Sequence, residues 1–345
     1  MTAFPALLDK LQRRVDLTVG EAAGAMETIM DGQAQPAHIA GFLIGLSMKG
    51  ERPAEIVGLA QTMRGRATRL SRTHAPVFDT CGTGGDRAHT FNVSTIAALV
   101  LAACGVKVAK HGNRSVSSQC GSADLFEALG VRVAAEPAVV ERCLDTAGIA
   151  FFFAPTFHPS MRHAGPTRKD LGVRTAFNLL GPLTNPAGAS RQLVGVPRPE
   201  LTELVARSLA LLGSERAWVV HGADGLDEIS TTGYTKVSEC RDGKVNTFYV
   251  HPADFGLPKS APSDLRGGDA AANAAIARRL LAGEGGATRD IVLLNAAASL
   301  LIAERAGTIR EGIAAAAEAL DGGRAAAILE KLVAVSNERA EAAAS

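Results

Sequence analysis

Residues 79–86 read Asp79-Thr80-Cys81-Gly82-Thr83-Gly84-Gly85-Asp86 and lie between a short apolar segment, 76–78, and a helical pattern that begins near Ser94. Glycine adopts backbone dihedrals that turn several N–H groups toward one point, so three glycines in four residues favour an anion cradle. The start of the helix adds unpaired N–H groups and the positive end of its dipole. Strand, glycine loop and helix N-terminus together predict a phosphate site.

The glycine loop does not match the two common nucleotide-binding patterns. It is neither Gly-x-Gly-x-x-Gly nor Gly-x-x-x-x-Gly-Lys-Ser/Thr, so it does not indicate a dinucleotide site or a nucleoside triphosphatase. A tight turn whose glycines allow close packing is the alternative interpretation. We favour a protein that handles a phosphorylated metabolite.

The composition excludes several classes of function. A chain of 345 residues suits one large domain, or one large and one small. Aromatic residues make up 4%, which argues against a stacking platform for single-stranded nucleic acid. The 36 basic and 35 acidic residues give a net charge of +1 with no basic stripe, so neither a nucleic acid nor a membrane is indicated as a partner.

The N-terminus and the cysteines indicate the compartment. Asp9 and Lys10 precede any long apolar run, which is unlike a signal peptide, and the apolar stretch 93–108 is too short to span a membrane. The five cysteines are odd in number and never form Cys-x-x-Cys, which fits a reducing environment better than a disulfide scaffold or a zinc site. We therefore predict a soluble cytoplasmic enzyme.

The first part of the chain predicts a small helical domain over residues 1–72. Thr18 and Glu21 form the pattern of a capping box that opens one helix. Pro36 opens a second helix that ends at Gly50, and Pro53 opens a third.

From residue 73 to 345 the pattern predicts an α/β domain. Apolar strand candidates alternate with helical patterns, which indicates a mainly parallel central sheet flanked by helices on both faces. The strand candidates are 76–80, 106–110, 131–134, 149–154, 192–196 and 217–221, and the helical patterns are 94–104, 122–129, 137–147 and 200–212.

Three further segments complete this domain organisation. Asp242-Gly243 joins 237–240 to 245–250 as a predicted β-hairpin, and alanine-rich helix covers 268–342. Patterning does not assign the Pro- and Gly-punctuated insertion at 159–190 to either domain, although we expect part of it to join the helical domain.

A second polar segment follows the predicted strand that ends near Lys110. It reads Lys110-His111-Gly112-Asn113-Arg114-Ser115-Val116-Ser117-Ser118. Ligands gather at the carboxyl ends of strands in open α/β sheets, where lysine offers a charge to phosphate and asparagine can bind a polar group. A solvated loop with a helix cap near Ser122 is the alternative, but it leaves Lys110-His111 unexplained.

A third segment contains the adjacent acids Asp227 and Glu228 after a predicted strand. Their charges repel each other unless a cation or hydrogen bonds hold them, and hard oxygen ligands beside a phosphorylated substrate indicate magnesium. A solvated acidic turn explains the same residues equally well when they are taken alone.

A fourth segment, 164–186, carries Arg168, whose planar fork suits a carboxylate, although periodicity does not distinguish that role from an exposed helix position. Cys81 with His111 as its base suggests a nucleophile, but we reject it because a small buried cysteine is the commoner situation. His158 is a candidate for lining a pocket. The histidines do not show metal-ligand spacing.

In this order and spacing, the four segments resemble the anthranilate phosphoribosyltransferases of tryptophan biosynthesis over essentially the whole chain. The wider group includes the pyrimidine nucleoside phosphorylases, which are similar in fold and in a Lys-His-Gly-type loop. One departure is Gln119-Cys120, where the family usually has a basic residue followed by serine. It flanks the matching positions and leaves the implied chemistry unchanged.

The resemblance implies transfer of phosphoribosyl from 5-phosphoribosyl-1-pyrophosphate to anthranilate, with release of pyrophosphate. It implies Mg²⁺ held by Ser94, Asp227 and Glu228, and anthranilate bound by Gly82, Asn113 and Arg168, with His111 and His158 lining that pocket. It also implies a homodimer built through the helical domain. The residues implied for the phosphoribosyl donor are Gly82, Gly85, Asp86, Thr90, Asn92, Val93, Ser94, Thr95, Lys110, His111, Gly112, Asn113, Arg114, Ser115, Val116, Ser117, Ser118 and Ser122.

Chemistry agrees with that assignment. Pyrophosphate leaves C1 of ribose through a transition state with oxocarbenium character, which needs charge stabilisation more than a nucleophilic side chain. We therefore expect no covalent intermediate, no strongly committed general base, and closure of the cleft on binding. A pyrimidine nucleoside phosphorylase and a non-catalytic nucleotide-sensing or nucleic-acid-binding protein are the alternatives.

Overall fold

The computed structural model describes residues 4–74, 76–86, 88–115 and 119–338. Four helices form the N-terminal part: α1 (Phe4–Gln12), α2 (Val19–Met30), α3 (Pro36–Lys49) and α4 (Pro53–Gly65). The predicted capping box is present, because Thr18 Oγ1 accepts the Glu21 N–H while the Glu21 carboxylate accepts the Thr18 N–H. The prolines occupy the first positions of α3 and α4, so all three predicted helix starts are confirmed.

The central sheet has seven strands in the order β3-β2-β1-β4-β5-β6-β7. The neighbouring strands from β3 to β5 in this order pair in parallel, whereas β6 pairs antiparallel with β5 and β7 pairs antiparallel with β6. The predicted mainly parallel sheet is therefore confirmed. The strands are β1 (Phe78–Thr80), β2 (Val108–Gly112), β3 (Ile149–Phe153), β4 (Arg191–Gly195), β5 (Arg216–Gly222), β6 (Thr235–Arg241) and β7 (Lys244–Val250). The predicted hairpin turn is also present, with positive φ at both Asp242 and Gly243.

Helices cover both faces of the sheet. They are α5 (Val93–Ala103), α6 (Ser122–Ala128), α7 (Pro137–Thr146), α8 (Ala154–Phe157), α9 (Gly165–Leu171), α10 (Leu180–Leu183), α11 (Leu201–Leu211), α12 (Ala270–Leu281), α13 (Ala287–Ile302), α14 (Ile309–Asp321) and α15 (Arg324–Ser336). As far as residue 338, the predicted alanine-rich helical tail at 268–342 consists of four helices, α12 to α15, and residues 339–342 lie outside the described residues. None of the helices in the described part of the chain is long and apolar enough to cross a membrane.

The strand predicted at 131–134 is wrong. These residues form a turn between α6 and α7. Val131 and Val133 are buried in the core, but the Arg132 N–H donates to Ser336 Oγ. The alternation of apolar residues therefore reflects packing against helices rather than a place in the sheet.

Two buried clusters organise the molecule. The larger one packs α5, α13 and the other C-terminal helices against one face of the sheet. The second joins Phe42 of the N-terminal helices to Phe177 of the insertion, and also to Val205 of α11 and Val219 of β5 on the other face. The insertion thus packs against α2, α3 and α4. The domain boundary at residues 72 and 73 stays a prediction.

This topology collects the polar segments at one edge of the sheet. The glycine loop follows β1, the Lys110 segment ends β2, and the acidic pair follows β5, which are all parallel strands. Their carboxyl ends therefore meet on one side of the sheet. The N-terminal helices and the insertion form the opposite wall of the resulting cleft.

Candidate active site

The cleft at the carboxyl ends of the strands has a volume of about 620 Å³. All four predicted segments contribute to its lining, so the structure brings together residues that are far apart in the chain. The lining includes the predicted residues Gly82, Gly85, Asp86, Thr90, Asn92, Val93, Ser94, Thr95, Lys110, His111, Gly112, Asn113, Arg114, Ser115, Ser122, His158, Arg168, Asp227 and Glu228. The predicted residues Val116, Ser117 and Ser118 lie outside the described residues.

The glycine loop is in direct contact with the acidic pair. The Gly84 N–H donates to Asp227 Oδ2 at 3.1 Å, and a Cβ on Gly82 would lie 2.6 Å from the same oxygen. Gly84 and Gly85 have φ of +64° and +80°, a region that L side chains rarely adopt. Glycine is therefore required here both for the turn and for the close approach of a carboxylate.

The acidic pair is a crowded, partly buried group of carboxyls. Burial and the neighbouring Asp86 raise the pKa of Asp227, while burial and Asp227 raise the pKa of Glu228. Glu228 Oε1 also accepts the N–H of Ser94 at the start of α5, at 3.1 Å. A divalent cation would relieve this repulsion, and the carboxylates with the Ser94 hydroxyl form the hard oxygen set that Mg²⁺ prefers. The donor set therefore fits magnesium.

Asn295 of α13 fixes the loop that carries the acidic pair. Its Nδ2 donates to Ile229 O and its Oδ1 accepts the Ile229 N–H, each at 2.9 Å, directly after Glu228. All these groups are buried.

We expect Asn295→Leu to lower the free energy of unfolding by about 2–4 kcal/mol, because it leaves a buried N–H and a buried C=O of Ile229 unpaired. Denaturant unfolding measures this value. The control is Ser299→Ala, which removes a hydroxyl bond within the same helix and costs about 1 kcal/mol or less. Equal losses in the two variants would contradict the role of Asn295.

Lys110 lies beneath the glycine loop rather than on an open loop. Its side chain is buried and its Nζ donates to Thr80 O, with Thr80 Oγ1 at 3.3 Å and Ser94 Oγ at 3.5 Å. Lys110 therefore carries its charge to the junction of β1 and α5, where the phosphate site was predicted.

A buried polar network supports this lysine. Asp79 accepts the His111 N–H at 3.1 Å and the Asn185 Nδ2 at 2.8 Å, and burial raises the pKa of Asp79 to about 6 despite the charge of Lys110. Ligand atoms of Asp79, Cys81 and His111 lie within 4.8 Å of one another, close enough to share an ion. Because both Asp79 oxygens already accept hydrogen bonds, the network is accounted for without one.

Two buried histidines face each other across the cleft wall, with ring centroids 5.2 Å apart. His111 Nδ1 contacts Gly181 O and His158 Nε2 contacts Thr184 O, each at 3.0 Å. A carbonyl only accepts, so these nitrogens carry the protons and the other ring nitrogens are acceptors. Within the described residues, His111 Nε2 and His158 Nδ1 have no hydrogen-bond partner. Burial lowers the pKa of His111 to about 3 and that of His158 to about 4.

Arg168 lies on α9 at the opposite wall, with its guanidinium 5.5 Å from the centroid of the Phe177 ring. Burial lowers its pKa, and no carboxylate among the described residues offsets that effect. A partly buried arginine without an anionic partner is suited to a carboxylate ligand. Arg114 differs, because its guanidinium pairs with Glu127 at 2.7 Å and Asp124 at 3.1 Å.

Cys81 does not have the environment of a nucleophile. Burial and the neighbouring Asp79 raise the pKa of its thiol far above the ordinary value. A thiolate requires the opposite shift. This finding supports the rejection of a covalent role.

Several lining residues carried no prediction. Arg174, Asn178 and Pro182 lie in the fourth segment, so their place in that segment could have predicted that they line the cleft. Met63 of α4 had no signal, since only the packing of the N-terminal helices against the sheet domain brings it to the cleft.

Family models match both parts of the chain. The model described as "Glycosyl transferase family, helical bundle domain" matches residues 5–67, and "Glycosyl transferase family, a/b domain" matches residues 74–326. The anthranilate phosphoribosyltransferase of Moorella thermoacetica is 54% identical over 329 residues, which are 95% of this chain and 97% of that protein. The chain belongs to the anthranilate phosphoribosyltransferase family. The resemblance inferred from the four segments is thereby confirmed.

Solved structures of anthranilate phosphoribosyltransferases share this fold. The enzyme from Thermus thermophilus superposes with a TM-score of 0.90 at 44% identity, covering 96% of this chain and 99% of that one. The Saccharomyces cerevisiae enzyme in complex with PRPP and Mg gives a TM-score of 0.88 at 28% identity, covering 96% and 97%. The same yeast enzyme in complex with 4-fluoroanthranilate gives 0.85 at 27% identity, covering 97% and 99%.

Proposed function

We propose that the protein transfers the phosphoribosyl group of 5-phosphoribosyl-1-pyrophosphate to the amine of anthranilate. The products are N-(5-phosphoribosyl)anthranilate and pyrophosphate, in the second step of tryptophan biosynthesis from chorismate. The observation that carries this proposal is one cleft that joins an anion cradle with crowded carboxylates to Arg168, which has no anionic partner in the part of the chain that the structure describes. Membership of the anthranilate phosphoribosyltransferase family supports it.

The donor occupies the side of the cleft formed by the sheet edge. The glycine loop and the start of α5 line this region, and Lys110 adds a buried positive charge. The Thr95 hydroxyl is buried without a partner among the described residues, as expected of a group reserved for a ligand oxygen. The proposed donor residues are those implied by the family resemblance, including Val116, Ser117 and Ser118, which lie outside the described residues.

Magnesium is the proposed cofactor, held by Ser94, Asp227 and Glu228. The raised pKa values of the two carboxyls support a cation at this position. When bound, magnesium supplies positive charge to the departing pyrophosphate. The yeast relative whose complex contains PRPP and Mg supports the same assignment.

Anthranilate occupies the opposite side of the cleft. Arg168 binds its carboxylate, and Gly82 and Asn113 also contact anthranilate. His111 and His158 line this part of the cleft, and His111 Nε2 and His158 Nδ1 are buried acceptors without a hydrogen-bond partner among the described residues. The complex of the yeast relative with 4-fluoroanthranilate supports an acceptor site in this fold.

In the reaction, the bond between C1 of ribose and the pyrophosphate oxygen breaks, and the electron pair leaves with pyrophosphate. The amine nitrogen then forms the new bond to C1 and loses a proton to pyrophosphate or water. Both histidines have low pKa values and are weak bases, so the cleft works by positioning the reactants and stabilising charge. No covalent intermediate with the protein forms.

The histidines should stay neutral across the physiological pH range. We expect the NMR ring signals of His111 and His158 to show no titration between pH 5 and 8, because burial lowers their pKa values to about 3 and 4. Unfolding exposes them and restores an ordinary pKa near 6.5, so their contribution to stability is complete above about pH 6.5 and is lost as the pH falls below it. His111→Gln assigns the His111 signal, and an inflection near pH 6.5 would contradict the assignment.

The proposal includes a cytoplasmic homodimer whose cleft closes on binding. None of the five cysteines, all of which lie within the described residues, forms a disulfide, which supports a reducing compartment. Val15 and Met48 are exposed apolar residues beside α2 and on α3, which supports an interface through the helical domain. Light scattering measures the mass in solution.

A fluorescence assay with anthranilate, phosphoribosyl pyrophosphate and Mg²⁺ tests the function. Loss of anthranilate fluorescence that requires all three components and the protein supports the proposal. A folded protein that leaves anthranilate unchanged and instead cleaves thymidine or uridine with phosphate is a nucleoside phosphorylase. Salt-sensitive DNA binding without turnover would favour the non-catalytic alternative.

A further inference from the structure

Arg174 reaches across the cleft from the insertion to the glycine loop. It follows α9, beyond the left-handed Gly172, and its Nη1 donates to Gly84 O at 2.6 Å. Its Nη2 lies 3.4 Å from Thr83 Oγ1. A cation from one wall of the cleft is therefore placed on the anion cradle of the other wall.

The cradle is shaped around this side chain. A Cβ on Gly85 would lie 1.8 Å from Arg174 Nη1, and Gly85 has φ of +80°. Any side chain at this position would expel the guanidinium, whereas glycine leaves the backbone bare beneath it. Gly85 is therefore needed both for the backbone turn and for the space that the Arg174 guanidinium occupies.

The Arg174 guanidinium has N–H donors that remain available to a ligand. An arginine has five N–H donors, and the hydrogen bonds of Arg174 among the described residues go to a carbonyl and a hydroxyl, not to a carboxylate. Asp86 and Asp227 are close enough to act on its charge without forming an ion pair. The remaining N–H groups suit phosphate oxygens, which a planar guanidinium binds in pairs.

We propose that Arg174 binds the pyrophosphate of the phosphoribosyl donor and thereby couples the donor site to the acceptor site. This proposal rests on the function proposed above. Arg168 lies six positions earlier on the same short segment, so a donor that holds Arg174 also fixes the helix that carries the anthranilate arginine. Negative charge increases on the departing pyrophosphate, so Arg174 also stabilises the transition state.

Arg174→Ala should raise the KM for the donor by about tenfold to a hundredfold and lower kcat, because it removes charge-assisted hydrogen bonds to pyrophosphate. The Kd of anthranilate in the absence of donor should stay unchanged. Mg-pyrophosphate should tighten anthranilate binding in the wild type and should not do so in the variant. Arg174→Lys should recover part of the donor KM through its charge but less of the coupling, since it lacks the fork.

Lys169→Ala is the matched control, because Lys169 is an exposed cation on α9, five residues before Arg174, and does not line the cleft. It should behave like the wild type. An unchanged donor KM in folded Arg174→Ala would overturn the proposal. Equal increases in the KM values for both substrates, together with a lowered Tm, would also overturn it, because a purely structural link between the two walls would produce that result. A selective loss of anthranilate binding would overturn it as well.

Calorimetric titration with Mg-pyrophosphate separates this inference from the function on which it rests. If the wild type fails to turn over anthranilate but binds Mg-pyrophosphate more tightly than Arg174→Ala does, the proposed function is refuted, but the role of Arg174 in binding pyrophosphate is supported. If the wild type turns over and both proteins bind Mg-pyrophosphate equally, the function stands and the role of Arg174 fails.

Discussion

The double variant Asp227→Asn with Glu228→Gln is expected to lose turnover by about a hundredfold to a thousandfold, the scale of removing one preorganised electrostatic group from a transition state. It should need far more Mg²⁺ for its residual activity. Folding should persist and Tm should stay level or rise, because the variant removes carboxyls whose crowding and burial raise their pKa values. Initial rates against Mg²⁺ concentration and thermal unfolding measure the two effects.

A charge-matched control isolates this effect from the loss of two acids. Glu200→Gln with Glu203→Gln removes the exposed carboxylate of Glu200, beside α11, and the half-buried carboxylate of Glu203, on α11, both outside the cleft. This control should keep normal kinetics. Normal kinetics in the Asp227 and Glu228 variant itself would refute the metal assignment.

Arg168→Ala is expected to raise the KM and Kd of anthranilate by about a hundredfold with little change in the donor KM. Within the described ranges the guanidinium has no anionic partner to leave unpaired, so the loss falls on the bound carboxylate rather than on the folded protein. Fluorescence titration with anthranilate and separate KM values for the two substrates measure the selectivity.

Arg168→Lys and Lys169→Ala complete the comparison. The lysine variant keeps a charge but loses the planar fork and the stacking on Phe177, so it should recover part of the affinity. Lys169→Ala should bind anthranilate normally. Equal losses for both substrates in Arg168→Ala would show that it disturbs the cleft as a whole.

Local sequence patterns correctly predicted where the helices start and that the glycine loop follows a strand. Thr18 and Pro36 act through neighbours within a few residues, and the glycine loop is short, so sequence alone indicates their structure. The same reasoning failed at 131–134, where Val131 and Val133 alternate like a strand. Their burial comes from helices packed on the sheet, which a local pattern cannot distinguish from a strand.

The role of the acidic pair could not be predicted from its neighbours in the sequence. Asp227 and Glu228 were equally consistent with a solvated turn, because their surroundings are supplied by Gly84 and Asn295 from distant parts of the chain. Asn295 itself carried no signal, since an asparagine within a helix is usually unremarkable until its partner is known.

The sequence by itself determined the class of the protein and the chemistry of its segments: a glycine loop for an anion, acids for a cation, and an arginine for a carboxylate. Tertiary structure decided which of these groups act together. Only the fold buries His111 and His158 so that they stay neutral, and only the fold carries Arg174 across the cleft to Gly84. Desolvation and long-range contacts arise from packing between segments, and no single segment contains that information.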